Sequence, residues 1–458
     1  MPGHKRKRRG PFADAQEYDI TEITGYDNLH DPSGIIRESM DMLRSVYGSR
    51  ESWYLVNGST VGILASLLSV CDHGDRIIMG RNCHKSVYHA VGLLHLRPVY
   101  IVPDVDPDYG ICSGYNPEQI ARLMKEYTDV KAIVLTSPTY EGVVSDIRIL
   151  KDAADNIPLI VDEAPGAHFI FDDYFPESAV KCGADLVIQS THKTLPSLTQ
   201  TAVLHLCSDL VSRDRIHKSL EILETSSPSY LLMSSAEYGI AYMNEMVDIR
   251  KNYVDNLEVF RQKCGQLNFI RLIDNSDGRY YDYDRGRLVF YVREKGRQLF
   301  SNLRDKYSIE MEMSSLSYVT AITSVWDDPE DYDNLWIALQ KEDRLMYDMS
   351  RDKQSGNIKE REDNSEKTGN FEEWNCIPER VFYPWECDKM ETVRISLTKS
   401  PGRIAARNLM IYPPGSPFVV AGERIVPEIL ETINRYIDKG HNVVGVEQGF
   451  IEVLKEEL

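Results

Sequence analysis

The chain has 458 residues, enough for two or three domains with a sizeable core, so a disulfide-stapled miniprotein is excluded. Its 52 Lys and Arg face 71 Asp and Glu, a formal charge of −19 that offers phosphate backbones no broad positive surface, and nucleic-acid binding is not expected. With 42% hydrophobic and 27% charged residues, the composition is that of a folded, soluble protein.

The basic run Lys5–Arg9 opens the chain with no apolar stretch behind it, so it reads as a solvated arm rather than a signal peptide or a targeting patch. No run of about 18 apolar residues follows anywhere, so no membrane span is expected and the chain is expected in the cytoplasm. The eight cysteines (71, 83, 112, 182, 207, 264, 376 and 387) contain no C-x-x-C pair. They read as reduced thiols, with no metal site.

From about residue 50 to 210, short β-branched runs alternate with amphipathic stretches, the pattern of a parallel sheet flanked by helices. IIMG (77–80), VYIV (99–102), AIVLTSP (132–138), PLIVDE (158–163) and DLVIQS (185–190) are the predicted strands. Ligands collect at the carboxyl ends of strands in such sheets, so Ser137, Asp162 and Ser190 are expected to converge on one crevice. A Met-, Tyr- and Glu-rich helical segment spans about 230–265. Beyond it a smaller α/β unit is expected, with RLVFYV (287–292) and TVRISL (392–397) as strands and helices over RQLFSNLRDKY and DNLWIALQKED. Residues 350–375 are polar and charged with almost no aliphatic content, which predicts a mobile linker. The expected division is a major domain over 1–265 and a small domain over 266–458.

The stretch carrying most chemistry is STHKTLPSLTQTAVLH (190–205), directly after a buried strand. Lys193 lies 31 residues beyond Asp162, the acid that ends another apolar strand. This interval suits a pyridoxal phosphate site, in which the lysine amine forms an imine and the carboxylate keeps the ring nitrogen protonated. Asn57-Gly58-Ser59-Thr60 before an apolar helix is by itself an ordinary N-cap. With Lys193 and Asp162 present, it reads as a phosphate cradle of backbone N–H groups and two hydroxyls. His84, just past the second strand, offers a flat ring to stack on the cofactor. Glu163 points the other way from Asp162 and should matter less.

The segments NGSTVGI, RNCHKSVYHA, SPTYEGVVSDI, VDEAPGAHF, STHKTLPSLTQ, SPSYLLM and YPPGSPFVVAGERI, in this order, resemble the Orn/Lys/Arg decarboxylase family of fold type I pyridoxal phosphate enzymes. MPGHK at the start also resembles a family segment, and the resemblance is to the short branch without an N-terminal receiver-like domain. Members usually carry an arm before PGHK, so Met1 is expected to be a late start. The resemblance implies an aspartate-aminotransferase-like α/β fold, with a mostly parallel sheet in the large domain, a smaller C-terminal α/β domain, and a homodimer or larger assembly with its site at the interface. It makes Lys193 the Schiff-base lysine, Asp162 the ring-nitrogen partner and His84 the stacking ring. Ser59, Thr60, Ser190 and His192 would hold the phosphate, and Ala164 would line the cofactor. Pro165 stands where many relatives have a histidine, while His168 is kept; the proton donor is left open.

The implied reaction is decarboxylation of arginine, lysine or ornithine, which belongs to polyamine metabolism. Glu423, Glu141 and His168 are the expected substrate residues, because a buried distal cation needs a carboxylate. Glu423 reads equally well as a first-turn acid of the following helix. Two alternatives share these residues: an aminotransferase or lyase, for which Arg403 would clamp the α-carboxylate, and a catalytically silent binding protein.

Overall fold

The computed structural model describes residues 2–355, 377–412 and 415–455, the side chains of 352–355 excepted. All five apolar runs between 77 and 190 become strands: β2 (Arg76–Gly80), β3 (Arg97–Ile101), β4 (Val130–Thr136), β5 (Leu159–Asp162) and β6 (Leu186–Gln189). All but the half-buried edge strand β3 are buried on both faces, which is why they read as continuous hydrophobic runs rather than alternating ones. Two more strands, β1 (Glu51–Leu55) and β7 (Ala202–Leu206), complete a seven-stranded sheet in the order β1-β7-β6-β5-β4-β2-β3. β7 runs antiparallel to both neighbours, so the other six are parallel to one another.

The register aligns Thr136 with Asp162 and Asp162 with Ile188, placing the carboxyl ends of β4, β5 and β6 at one edge. Leu55 pairs with Ala202, so β1 ends where β7 begins, at that same edge. Helix α1 (Gly58–Val70) starts there and packs very closely on the sheet. A Cβ on Gly62 would lie 2.7 Å from Leu55 Cδ1 and 3.0 Å from Ile188 Cγ2, an approach only glycine permits.

The segment expected as one helical stretch is two helices, Tyr230–Glu245 and Val247–Cys264, separated at Met246 by a ψ of 64°. Next comes a four-stranded antiparallel sheet, ordered Arg271–Leu272, Arg287–Tyr291, Tyr318–Ile322, Met313–Ser314, with helices Gly296–Tyr307 and Pro329–Ser355. Val143–Val144, leaving the loop after β4, pairs with Asp282–Tyr283 and stitches this unit to the large sheet. Thr392–Ser396, expected in the same unit as Arg287–Tyr291, pairs instead with Phe450–Leu454. It joins a separate C-terminal core built from Leu397, Ala405, Val419, Ile425, Ile433 and Val453. The helix Pro329–Ser355 runs into the stretch predicted as a linker, and the rest of that stretch, 356–375, lies outside the described residues.

Candidate active site

The strand-end residues selected from the sequence meet at the common edge. Asp162 is 4% exposed, and its Oδ1 accepts the Ala164 N–H at 3.2 Å. The Ala164 carbonyl accepts the Ser190 N–H at 3.1 Å, which ties the ends of β5 and β6 together. Ser190 stands at the cap position of the single turn α3 (Thr191–Thr194), which carries His192 and Lys193. Hydroxyls brace this turn: Thr191 donates to Thr201 Oγ1 at 2.7 Å, and Ser197 lies 3.1 Å from Thr191 Oγ1 and 2.9 Å from Thr201 Oγ1. His192 Nδ1 donates to the Thr201 carbonyl at 2.8 Å, leaving Nε2 unprotonated in the neutral ring.

Burial lowers the Lys193 pKa, with Asp162 and Glu312 opposing and Arg287 reinforcing the shift. Burial raises Asp162, opposed by Lys193 and by the Ala164 N–H. Both groups are therefore pushed toward neutrality, and a cationic N–H beside the Asp162 carboxylate would relieve it.

At α1, Asn57 does not cap: its side chain accepts the Thr225 N–H instead, at 3.3 Å. Gly58, with φ of +75°, turns the chain into the helix, and the Ser190 hydroxyl donates to Ser59 Oγ at 3.0 Å. Open first-turn N–H groups with Ser59, Thr60 and Ser190 around them form the cradle a phosphate needs. His84 caps helix α2 (Lys85–Leu93), its Nδ1 accepting the Ser86 N–H at 3.3 Å, so the ring proton sits on Nε2. Burial, then the nearby Lys193, pushes His84 down to about 4, and the ring is neutral at pH 7. An amine, a strand-end carboxylate, a neutral ring and an anion cradle are the groups pyridoxal phosphate requires, and the residues present fit it.

The residues selected for the substrate fare differently. Glu423 is buried and takes a bidentate fork from Arg81, both bonds 2.8 Å, while also accepting the Val420 N–H at 2.8 Å. Its charge is therefore already paired with Arg81 inside the protein. It is not a first-turn acid, since the next helix starts at Pro427. Glu141 is buried and accepts the Tyr318 hydroxyl at 2.6 Å. His168 is walled in, its Nε2 lying 3.1 Å from Asp284 Oδ1 and its ring meeting Phe169 and Phe175 edge-on. Pro165 is buried in the 3-10 turn Ala164–Gly166 and carries no exchangeable proton. Arg403 donates to the Leu454 carbonyl within the C-terminal core, a structural use that does not need a substrate.

Three residues at the site escaped sequence reasoning. The Tyr140 ring centroid is 5.9 Å from Lys193 Nζ, and its hydroxyl donates to Glu312, an exposed acid that also acts electrostatically on Lys193 and His192. Arg287 is the third, its Cζ 5.6 Å from the same ring centroid. Tyr140 lies inside SPTYEG, where it was visible; Glu312 in the alternating EMEMSS carries no local signal.

Residues 13–339 match the family described as Orn/Lys/Arg decarboxylase, major domain, and residues 368–450 match its C-terminal domain. The chain is 34% identical over 436 residues to a Bacillus subtilis (strain 168) protein named "Uncharacterized protein YaaO", covering 93% of this chain and 87% of that one. It is 31% identical over 478 residues to the arginine decarboxylase of the same organism, covering 100% and 94%. Among solved structures, the Francisella novicida lysine decarboxylase LdcF superposes with a TM-score of 0.82 at 20% identity, over 99% of this chain and 78% of that one; this likeness shows the fold.

Proposed function

The chain belongs to the Orn/Lys/Arg decarboxylase family, the pyridoxal phosphate-dependent decarboxylases of basic amino acids, and we propose how its own residues divide that work. The observation that carries the assignment is the half-buried Lys193 and the buried Asp162 carboxylate at adjoining strand ends, beside an uncapped helix start.

Lys193 carries the cofactor. Asp162 holds a proton on the ring nitrogen, and its burial keeps that charge undiluted by water. Ser59, Thr60, Ser190 and His192 hold the phosphate with the first-turn N–H groups of α1. His84, neutral and fixed by its own capping bond, would offer its ring to stack on the cofactor. Pyridoxal phosphate, when bound, would supply the electron sink that decarboxylation requires. The reaction also needs a proton donor, and Pro165 has no proton to give; Lys193 and the Nε2–H of His84 are the nitrogen-bound protons we propose for that role.

For the substrate, we assign the distal cation to Glu312 at the site mouth, held by the Tyr140 hydroxyl. Glu141 and His168, both committed to buried partners, shape the wall behind it. Arginine is the proposed substrate, because the arginine decarboxylase relative is matched over nearly its whole length. Its product amine would enter polyamine metabolism. Among the described residues no helix is long and apolar enough to cross a membrane, and we place the enzyme in the cytoplasm as a homodimer or larger homo-oligomer. Residues 1–265 form the cofactor-binding part in this reading.

The test is a panel of arginine, lysine, ornithine and neutral amino acids, read by carbon dioxide release and by identification of the amine. Agmatine with stoichiometric carbon dioxide from arginine supports the proposal. Keto-acid formation without carbon dioxide would replace it with the aminotransferase reading.

A further inference from the structure

Arg287 opens the strand Arg287–Tyr291, and its side chain is 0% exposed. Nε, Nη1 and Nη2 all lack a hydrogen-bond partner. A guanidinium taken out of water is ordinarily forked onto a carboxylate, as Arg81 is onto Glu423, because an unpaired buried charge is strongly unfavourable. Arg287 instead faces the Tyr140 ring, the same ring that Lys193 Nζ approaches. The backbone is shaped to keep it there. Its N–H donates to the Asp284 carbonyl at 3.0 Å, and its stem passes so close to Gly142 that a Cβ at that position would lie 2.8 Å from Arg287 Cβ. Gly142 has a φ of +101°, a second reason for glycine at this point.

We infer that Arg287 is a positioning residue for Lys193: a cation with no hydrogen-bond partner at its guanidinium, facing Tyr140 with the Asp284 carboxylate also within electrostatic reach, that holds the neighbouring amine in its uncharged form. The inference rests on the reading that Lys193 carries the cofactor, since only an amine with a free electron pair can take up an aldehyde. The groups facing the Lys193 amine divide by sign. Asp162 and Glu312 favour the ammonium, whereas Arg287 and burial disfavour it. His84 and His192 also face it, and burial lowers the pKa of both. Without Arg287 the two carboxylates would act on the lysine unopposed by any fixed cation among these groups.

The size of the effect follows from the geometry. Sharing one ring puts the two cations at most about 11.5 Å apart, and at an effective dielectric near 20 that repulsion moves the lysine titration by about one pH unit.

The experiment measures the rate at which the cofactor-free full chain takes up pyridoxal phosphate as a function of pH, with borohydride labelling to locate the product on Lys193. Arg287→Met should raise the midpoint by about one pH unit, so that uptake near neutral pH slows about tenfold. Arg287→Lys, which keeps a charge, should stay near the wild-type midpoint. Equal midpoints in wild type and Arg287→Met, or equal shifts in the Met and Lys variants, would overturn the inference and leave Arg287 a packing residue. Should Arg287→Met fail to fold, Arg287→Gln against Arg287→Lys gives the same comparison. If the wild type itself is not labelled at Lys193, the assignment of the cofactor lysine falls and this inference with it; labelling without a midpoint shift sinks the inference alone.

Discussion

Replacing Glu423 with glutamine separates a structural role from a substrate-binding one. In the native protein Arg81 and Glu423 are 3% and 1% exposed and share two bonds of 2.8 Å, and Arg81 also donates to the Phe418 carbonyl at 3.0 Å. Glutamine keeps one acceptor oxygen but removes the charge, so Arg81 is left buried and uncompensated. Removing one partner of a buried pair costs about 3–5 kcal/mol, and the retained oxygen puts Glu423→Gln near the lower end, about 3 kcal/mol. The assay is urea unfolding followed by tryptophan fluorescence, since Trp385 stacks on His95 of the major domain and reports docking of the C-terminal segment. Its transition should move to lower urea, while the preference for arginine over norleucine stays unchanged. The double variant Arg81→Met/Glu423→Leu should recover most of the loss, because apolar replacement of such a pair is often neutral. Unchanged stability with a selective loss of arginine binding would refute the reasoning and make Glu423 the cation reader.

Further outcomes are expected at the site. Asp162→Asn should retain pyridoxal phosphate but lose about 3 kcal/mol or more of transition-state stabilisation, read as kcat; an unchanged kcat would make Asp162 a packing residue. Glu312→Gln should raise KM for arginine about tenfold, near 1.4 kcal/mol, and leave norleucine unaffected; equal effects on both would remove the cation-reading role. His205 is pushed down to about 3 by burial. The unfolded chain therefore takes up a proton below about 6.5 that the folded chain refuses until about 3, so stability is full above that window and is lost as pH falls through it. His205→Asn should flatten this acid loss in urea midpoints measured from pH 7 to 4, and a slope identical to wild type would exclude His205 as a contributor.

Most of the strands that were legible are runs in which nearly every side chain is apolar. β1 and β7 were missed for a physical reason. Ser52 and His205 are register partners across these two strands, joined by a 2.7 Å Ser52 Oγ to His205 Nδ1 contact, so each strand spends a polar residue on the other and looks less like a core strand. The distinction between Asp162 and Glu163 was legible from strand alternation. Glu163 indeed has other partners, accepting from Ser178, Ala179 and Gln189. Lys193, Asp162, Ser190 and Ser59 could be found because each sits within a few residues of a strand end. Glu423 could not be placed, because its arginine lies 342 residues away, and Glu312 meets Tyr140 across 172 residues. Partnerships of that span leave no local pattern.

The hydroxyl-braced turn between β6 and β7 has a consequence for how this enzyme can change. Thr191, Ser197, Thr201 and the His192 ring close the loop on itself within twelve residues, so Lys193 is anchored by its own neighbourhood. The acid at the mouth arrives from a separate sheet, and the wall behind it from yet another loop. In the proposed division of roles the lysine and the acid thus come from separate elements and meet through Tyr140, whose ring faces Lys193 and whose hydroxyl donates to Glu312. Substitutions that lengthen or shorten the mouth could then exchange one substrate for another, whereas a change of charge at Glu312 would also reach the lysine.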